Sequence, residues 1–180
     1  TGALIYPLAG NWTWGGGWLA NLGSNLGLAH GLVDAAGAGT THLLGASVAL
    51  AGLLVFLPRR PRPASGEAVA LPQAAFPLLS LLGVALLFVG LPGWVAANPL
   101  LPANIEVRVM FLNTMIAAAG AALTSLAYTW LIAGRPDTLM ASRGIAAAIV
   151  ASMAASPFIP AWAALALGLV IGMLVPFAVF

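Results

Sequence analysis

The sequence predicts an all-α protein, a polytopic membrane helix bundle of about five transmembrane helices. Three observations lead there. Hydrophobic residues make up 62% of the 180 positions and charged residues only 6%, against about 25% charged in soluble domains. Mean hydropathy is +1.05. Apolar runs recur at close to the ~20 residues a helix needs to cross a bilayer, separated by turns rich in Pro, Gly and Asn. This composition excludes a soluble enzyme, and no acid–base pair or nucleophile constellation points to a membrane enzyme. Four acids, two His and no Cys leave little material for a metal site, so neither metal nor cofactor is expected. The pI near 10.0 rests on six Arg, three of them within one short loop, and nucleic acid is not an expected partner.

The elements follow in order. Residues 1–10 are too short to span alone and read as the last turns of an earlier helix. The chain opens at Thr1 inside apolar sequence, which reads as a truncated or processed end. Residues 11–36 carry Asn, Gly, Ser and three Trp (Trp12, Trp14, Trp18), the composition of an interfacial loop with an aromatic belt; 1–36 is thus a partial helix and outer loop. Transmembrane helices are expected over 37–57, 76–97, 107–133, 138–155 and 161–180, within a single transmembrane domain of 1–180. The loop 58–75 begins Pro58-Arg59-Arg60-Pro61-Arg62-Pro63, the main charge cluster. By the positive-inside rule the Arg-rich loop 58–63 is cytoplasmic, in a multi-pass protein of the cell inner (plasma) membrane. The turn at Gly134-Arg135-Pro136-Asp137 then falls on the same side, with Arg143 nearby. Arg108, two residues after Glu106, is the exception and is expected to snorkel or pair locally. Small residues (Gly45-Ala46-Ser47, Ala117 to Ala122, Ala146 to Ala148, Gly168 and Gly172) favour close helix approach.

Asp34 and His42 are the unusual polar residues. A charged side chain at the bilayer centre costs roughly 2.5 to 3.5 kcal/mol on insertion scales, and a chain this apolar has many ways to avoid it. Two readings stand for Asp34: an N-cap for the first long helix, or part of a polar pathway. His42 is either a packed imidazole bonded to a carbonyl or Thr, or a relay residue. Trp14 reads as a belt aromatic at the interface, and Trp94 as a lipid-facing or packing residue.

Several motifs, in order along the chain, carry a resemblance. Tyr6-Pro7, Trp14-Gly15-Gly16-Gly17-Trp18-Leu19, His30-Gly31-Leu32-Val33-Asp34-Ala35-Ala36-Gly37 and Thr41-His42 come first. Asn113-Thr114, Trp130, Gly134-Arg135-Pro136-Asp137 and Pro160-Ala161-Trp162-Ala163-Ala164 with Gly168 come after them. Together they resemble the ammonium transporter (Amt/Mep/Rh) family, whose pattern has Trp-Gly-Gly-Gly, Asp-Phe-Ala-Gly and a His eight residues after that Asp. The resemblance implies an Amt-like partial fold holding the end of helix four and helices five to nine of an eleven-helix, usually trimeric protein with one narrow apolar pore per subunit. It implies that Trp14 helps form an outer ammonium recruitment site by cation–π attraction and hydrogen bonding. It implies that Asp34 orders the backbone beside that site, and that His42 is one of a pair of pore histidines. Imidazole titrates near neutrality and suits a proton relay, and a bare ammonium needs its charge handled or its shell replaced.

The sequence departs from the pattern at pore positions. Ala35 stands for the Phe of Asp-Phe-Ala-Gly, and Thr40-Thr41 for Val-Val before His42. Gly93-Trp94-Val95-Ala96-Ala97-Asn98-Pro99 replaces the motif with the gating Phe; Trp94 aligns with that Phe, or the register moves by about four if Asn98-Pro99 is matched instead. The second pore His would lie beyond this chain, and His30 belongs to the outer loop. The expected function is therefore an ammonium/ammonia transporter-family membrane protein whose pore is incomplete within these residues, with Trp14, Asp34, His42 and Trp94 as substrate and pore residues. The alternative is a non-conducting Amt-derived accessory or structural subunit of a larger membrane complex; an ammonium sensor is a third reading. Expected partners are ammonium or ammonia if the pore is complete, the lipid bilayer, and other membrane subunits or a homotrimer.

Overall fold

The computed structural model describes residues 2–28, 30–56, 77–97 and 105–179. The Arg-rich loop 58–63 and its expected side lie outside these residues, as do Asn98 and Pro99. Among the described residues the chain is helical with no strand: α1 (Ile5–Thr13), a short α2 (Leu22–Asn25), a π-helical turn (Ala38–Leu43) running into α3 (Leu44–Phe56), α4 (Pro77–Ala96), α5 (Val107–Ala133), α6 (Thr138–Ser152) and α7 (Ala161–Val179). Four stretches are long and apolar enough to cross a membrane: Ala38–Phe56, Pro77–Val95, Val107–Ala133 and Ala161–Val179. The apolar α6 is shorter, at 15 residues, about 22 Å at 1.5 Å per residue. The architecture is a polytopic helical bundle.

Small residues set the packing of α5, α6 and α7. A β-carbon added at Gly168 would run into the backbone carbonyl of Ala117, and one at Gly172 into Thr124 and the Ala121 carbonyl. The α5 and α7 backbones therefore touch along Gly120, Gly168 and Gly172. Ser125 Oγ donates to Gly172 O across the same contact at 2.8 Å. At the same point of α5, a β-carbon at Gly144 of α6 would collide with Ser125 Oγ, so the three helices meet at Ser125. Close approach multiplies dispersion contacts, which drive helix association where lipid removes the hydrophobic gain. Helix α4 leans on α6, with Ser80 and Ser142 hydroxyls 2.6 Å apart, and an apolar cluster of Leu91, Val95, Met110, Ile149 and Met153 fills the space behind it.

The α5–α6 corner has recognisable local causes. Gly134 ends α5 in the left-handed region at φ 71°, the usual αL stop. Asp137 caps α6, accepting from the amides of Leu139 at 2.8 Å and Met140 at 3.4 Å, while its own amide donates to Thr129 Oγ1. Glu106 and Arg108, at the start of α5, are both exposed.

Helix α6 stops at Ser152, three residues short of the expected 155. The reason lies in its partners. Ser152 Oγ donates to Ile149 O at 2.9 Å and lies 3.2 Å from Thr114 Oγ1, and Asn113 Nδ2 donates to the carbonyls of Ser156 and Ile159, both at 2.8 Å. Asn113 and Thr114 of α5 thus hold the turn after α6. In this turn the carbonyls of Met153 and Ala154 accept from the amides of Ala36 and Ala35. The turn after α6 is the shelf on which the segment before the π turn rests.

Candidate functional site: a pinned segment before the π turn

Asp34–Gly37 is buried yet not helical. Irregular backbone inside an apolar bundle must have its polar groups satisfied by the protein, and here it does so on both edges. Along one edge, Ala35 and Ala36 donate to the shelf after α6. Along the other, ring N–H groups reach its carbonyls. Trp14 Nε1 donates to Asp34 O at 2.9 Å, and Trp94 Nε1 donates to Ala36 O at 3.0 Å. His42 Nδ1 lies 3.0 Å from Gly37 O. A carbonyl only accepts, so in this last bond Nδ1 is the donor, and Nε2 is the ring nitrogen left for another partner.

The Asp34 carboxylate organises the first turn of the next helix. Oδ1 accepts from the amides of Gly37 and Ala38 at 3.0 and 2.8 Å. Oδ2 accepts from the amides of Gly39 and Thr40 at 3.0 and 2.7 Å, and from Thr40 Oγ1 at 2.8 Å. Four consecutive amides and a hydroxyl thus converge on one acid. The N-cap position itself is Gly37, and the Asp34 carboxylate, three residues before it, serves as a cap over the whole turn: the orphan amides of the helix start are met, and the positive end of the helix faces a carboxylate. Thr40 Oγ1 also reaches Thr13 Oγ1 at 3.1 Å, which ties the turn to α1.

Gly37 makes the geometry permissible. Its φ is 89°, a region that L side chains rarely adopt. An added β-carbon would lie 2.7 Å from Thr41 Oγ1 and 3.2 Å from Trp14 Cη2. From this glycine the chain enters a π turn: the amides of Thr41 and His42 both donate to Gly37 O, at 3.0 and 3.1 Å. Single π turns inside helices recur at functional sites. Here the wider turn rotates Thr41 and His42 toward α4.

Between them lies a cavity of about 350 Å³ lined by Thr41, His42, Leu87, Gly90, Leu91, Trp94 and Met153. The wall is mostly apolar, and three side chains bring polar groups to it. The Trp94 N–H is taken by Ala36 O, so the polar side chains left on the lining are His42 and Thr41, the Thr41 oxygen being buried without a partner among the described residues. His42 is half-buried and Trp94 is 50% exposed, so the cavity opens outward.

The four residues singled out from sequence therefore meet on one segment, in different roles. Asp34 is spent on backbone amides. Trp14 turns inward with its N–H engaged, which leaves only its ring face for a cation, whereas Trp12 and Trp18 stay exposed and stack edge to face at 6.1 Å. His42 and Trp94 share the cavity. His30 lies apart, exposed, with Nδ1 against Gly31 O. Sequence reasoning assigned no role to Thr41, to the Thr40 bond to Asp34, or to Asn113 as the holder of the shelf. The one signal for the first two was the polar Thr40-Thr41 pair immediately before His42 in an otherwise apolar helix.

Among known proteins, the family model described as the Ammonium Transporter Family matches residues 1–180. The chain is 35% identical over 177 residues to ammonium transporter Amt2 of Archaeoglobus fulgidus, covering 96% of this chain and 37% of that one. It is 33% identical to ammonium transporter Amt1 of Haloferax mediterranei, covering 95% and 36%. It is 32% identical to an ammonium transporter of Aquifex aeolicus, covering 86% and 33%. The chain thus spans less than two-fifths of the length of these relatives. With the family model matched along its whole length and its helices arranged as a polytopic bundle, the chain is a multi-pass membrane protein that belongs to the ammonium transporter family.

Proposed function

We propose that this chain supplies one wall of a path for ammonium or ammonia across the cell inner (plasma) membrane, acting as a single transmembrane unit with the Arg-rich loop 58–63 on the cytoplasmic side. The observation that carries the reading is His42, held by Gly37 O through Nδ1 and lining a largely apolar cavity. In such a cavity an ammonium ion loses hydration that apolar walls do not replace. Deprotonation makes a small neutral guest, and the free Nε2 offers it a hydrogen bond or takes the proton. The face of Trp14, whose edge packs against Gly37, is the natural waiting place for the cation, with an attraction of about 0.5–2 kcal/mol. Asp34 contributes by fixing the backbone, since its oxygens are already occupied. Trp94 contributes to the wall of the same cavity. The names of the relatives support the substrate, and no observation favours a non-conducting subunit.

The test is methylammonium flux by the full-length protein in proteoliposomes. Wild type is expected to conduct, and His42→Ala is expected to abolish flux while leaving the protein folded. Unchanged flux in His42→Ala counts against His42 as a pathway residue.

A further inference from the structure

Thr41 Oγ1 is a buried hydroxyl with no hydrogen-bond partner among the described residues. A helical Thr ordinarily satisfies its hydroxyl on the carbonyl four residues back, as Thr114, Thr124 and Thr129 do here. For Thr41 that carbonyl is Gly37 O. It already accepts the amides of Thr41 and His42 and the Nδ1 of His42, three donors for two lone pairs. The π turn and the imidazole have taken the usual partner. Thr40, one residue earlier, turns its hydroxyl to Asp34 and Thr13 instead. Thr41 is left with its oxygen packed over Gly37, and it lines the same cavity as His42.

Resting on the transport reading above, we propose that Thr41 is a positioning and specificity residue of that cavity, its hydroxyl being a second polar contact to the nitrogen of the guest beside His42. A hydroxyl both donates and accepts. It accepts an N–H from ammonium and donates to the lone pair of ammonia, so it holds the nitrogen through a change of protonation at His42 Nε2. Leu87, Leu91, Met153 and the Trp94 ring offer no such group, and the Trp94 N–H is engaged. A methylated amine has fewer N–H groups to share between Thr41 and His42 and adds a methyl group to this small space. Thr41 therefore favours ammonium over methylammonium.

The test compares wild type, Thr41→Val and Thr41→Ser in the full-length protein. Valine keeps the shape and branching and removes only the oxygen. Thr41→Val is expected to raise the half-saturating ammonium concentration roughly 3- to 10-fold, the range of one net hydrogen bond, and to narrow the preference for ammonium over methylammonium. Thr41→Ser restores both. Equal half-saturation and equal preference in Thr41→Val overturn the proposal and leave transport standing. If wild type carries no flux, the transport reading falls, and titration calorimetry with ammonium chloride decides the rest. Binding by wild type that Thr41→Val weakens several-fold supports the contact; binding that is equal in both, or absent, overturns it.

Discussion

Helix α5 and the span Ala38–Phe56 are both apolar enough to cross a bilayer, yet 44% of the most apolar window of α5 is buried within the chain and only 6% of the other. The two are held in place by different physics. Helix α5 is fixed by shape: glycines on α6 and α7 bring backbones together at Gly144, Gly168 and Gly172. The span Ala38–Phe56 packs little of its length, with Leu54 77% and Phe56 83% exposed. Its position is fixed at its start, by a carboxylate, five donors and three ring N–H bonds on the segment before it. Packing makes a scaffold; polar bonds concentrated at one end make a site. A site built that way keeps a cavity beside it, because what orients His42 is hydrogen bonding to backbone and not contact on all sides.

This contrast predicts different failures in the two regions. The largest effect is expected at Gly168→Val, where the new side chain meets the Ala117 carbonyl and helix backbones must part. Overpacking of that kind costs about 3 kcal/mol or more, and the protein should lose its folded, monodisperse peak in detergent chromatography. A stable, monodisperse variant would mean that α5 and α7 do not touch backbone to backbone. Next comes Asp34→Asn, which sets an amide group against amides that donate. About 2–3 kcal/mol is expected to be lost, as for a charged hydrogen-bond partner. Hydrogen exchange should show protection lost over residues 37–42 and retained in α5; loss in both would erase the distinction between site and scaffold. The smallest effect is expected at Trp94→Phe. It keeps the ring and drops the bond to Ala36 O, costing about 1 kcal/mol, read as a small fall in melting temperature. No fall would show that the remaining bonds on the segment hold it without Trp94.

Much of the scaffold was legible in the sequence. Apolar run length marked the helices, because a bilayer dictates that length. Gly134 and Asp137 marked the α5–α6 corner, because αL stops and N-caps use those residues. The early end of α6 was not legible: Asn113 reaches carbonyls 43 and 46 positions away, and no local pattern encodes such a bond. The site was legible as a set of residues and illegible as an arrangement. Asp34, His42, Trp14 and Trp94 stood out through cost, chemistry and resemblance. The arrival of Trp14 and Trp94 at the carbonyls of residues 34 and 36 depends on bonds across 20 and 58 positions. The π turn is invisible in residue spacing, since a shift of one residue in a hydrogen bond leaves no compositional trace. Thr41 was passed over because its neighbour Thr40 resembles it chemically, and only the fold shows which of the two hydroxyls finds a partner.

The central claim is that the segment before the π turn presents His42 to the cavity with its proton on Nδ1 and its Nε2 free for the guest. Nitrogen-15 magnetic resonance of histidine-labelled protein in lipid, with His42 assigned by its loss in His42→Gln, reads this directly. The account predicts a neutral His42 that is protonated at Nδ1, with an Nε2 signal that moves when ammonium is added. A ring protonated at Nε2, or an Nε2 signal indifferent to ammonium, would contradict it.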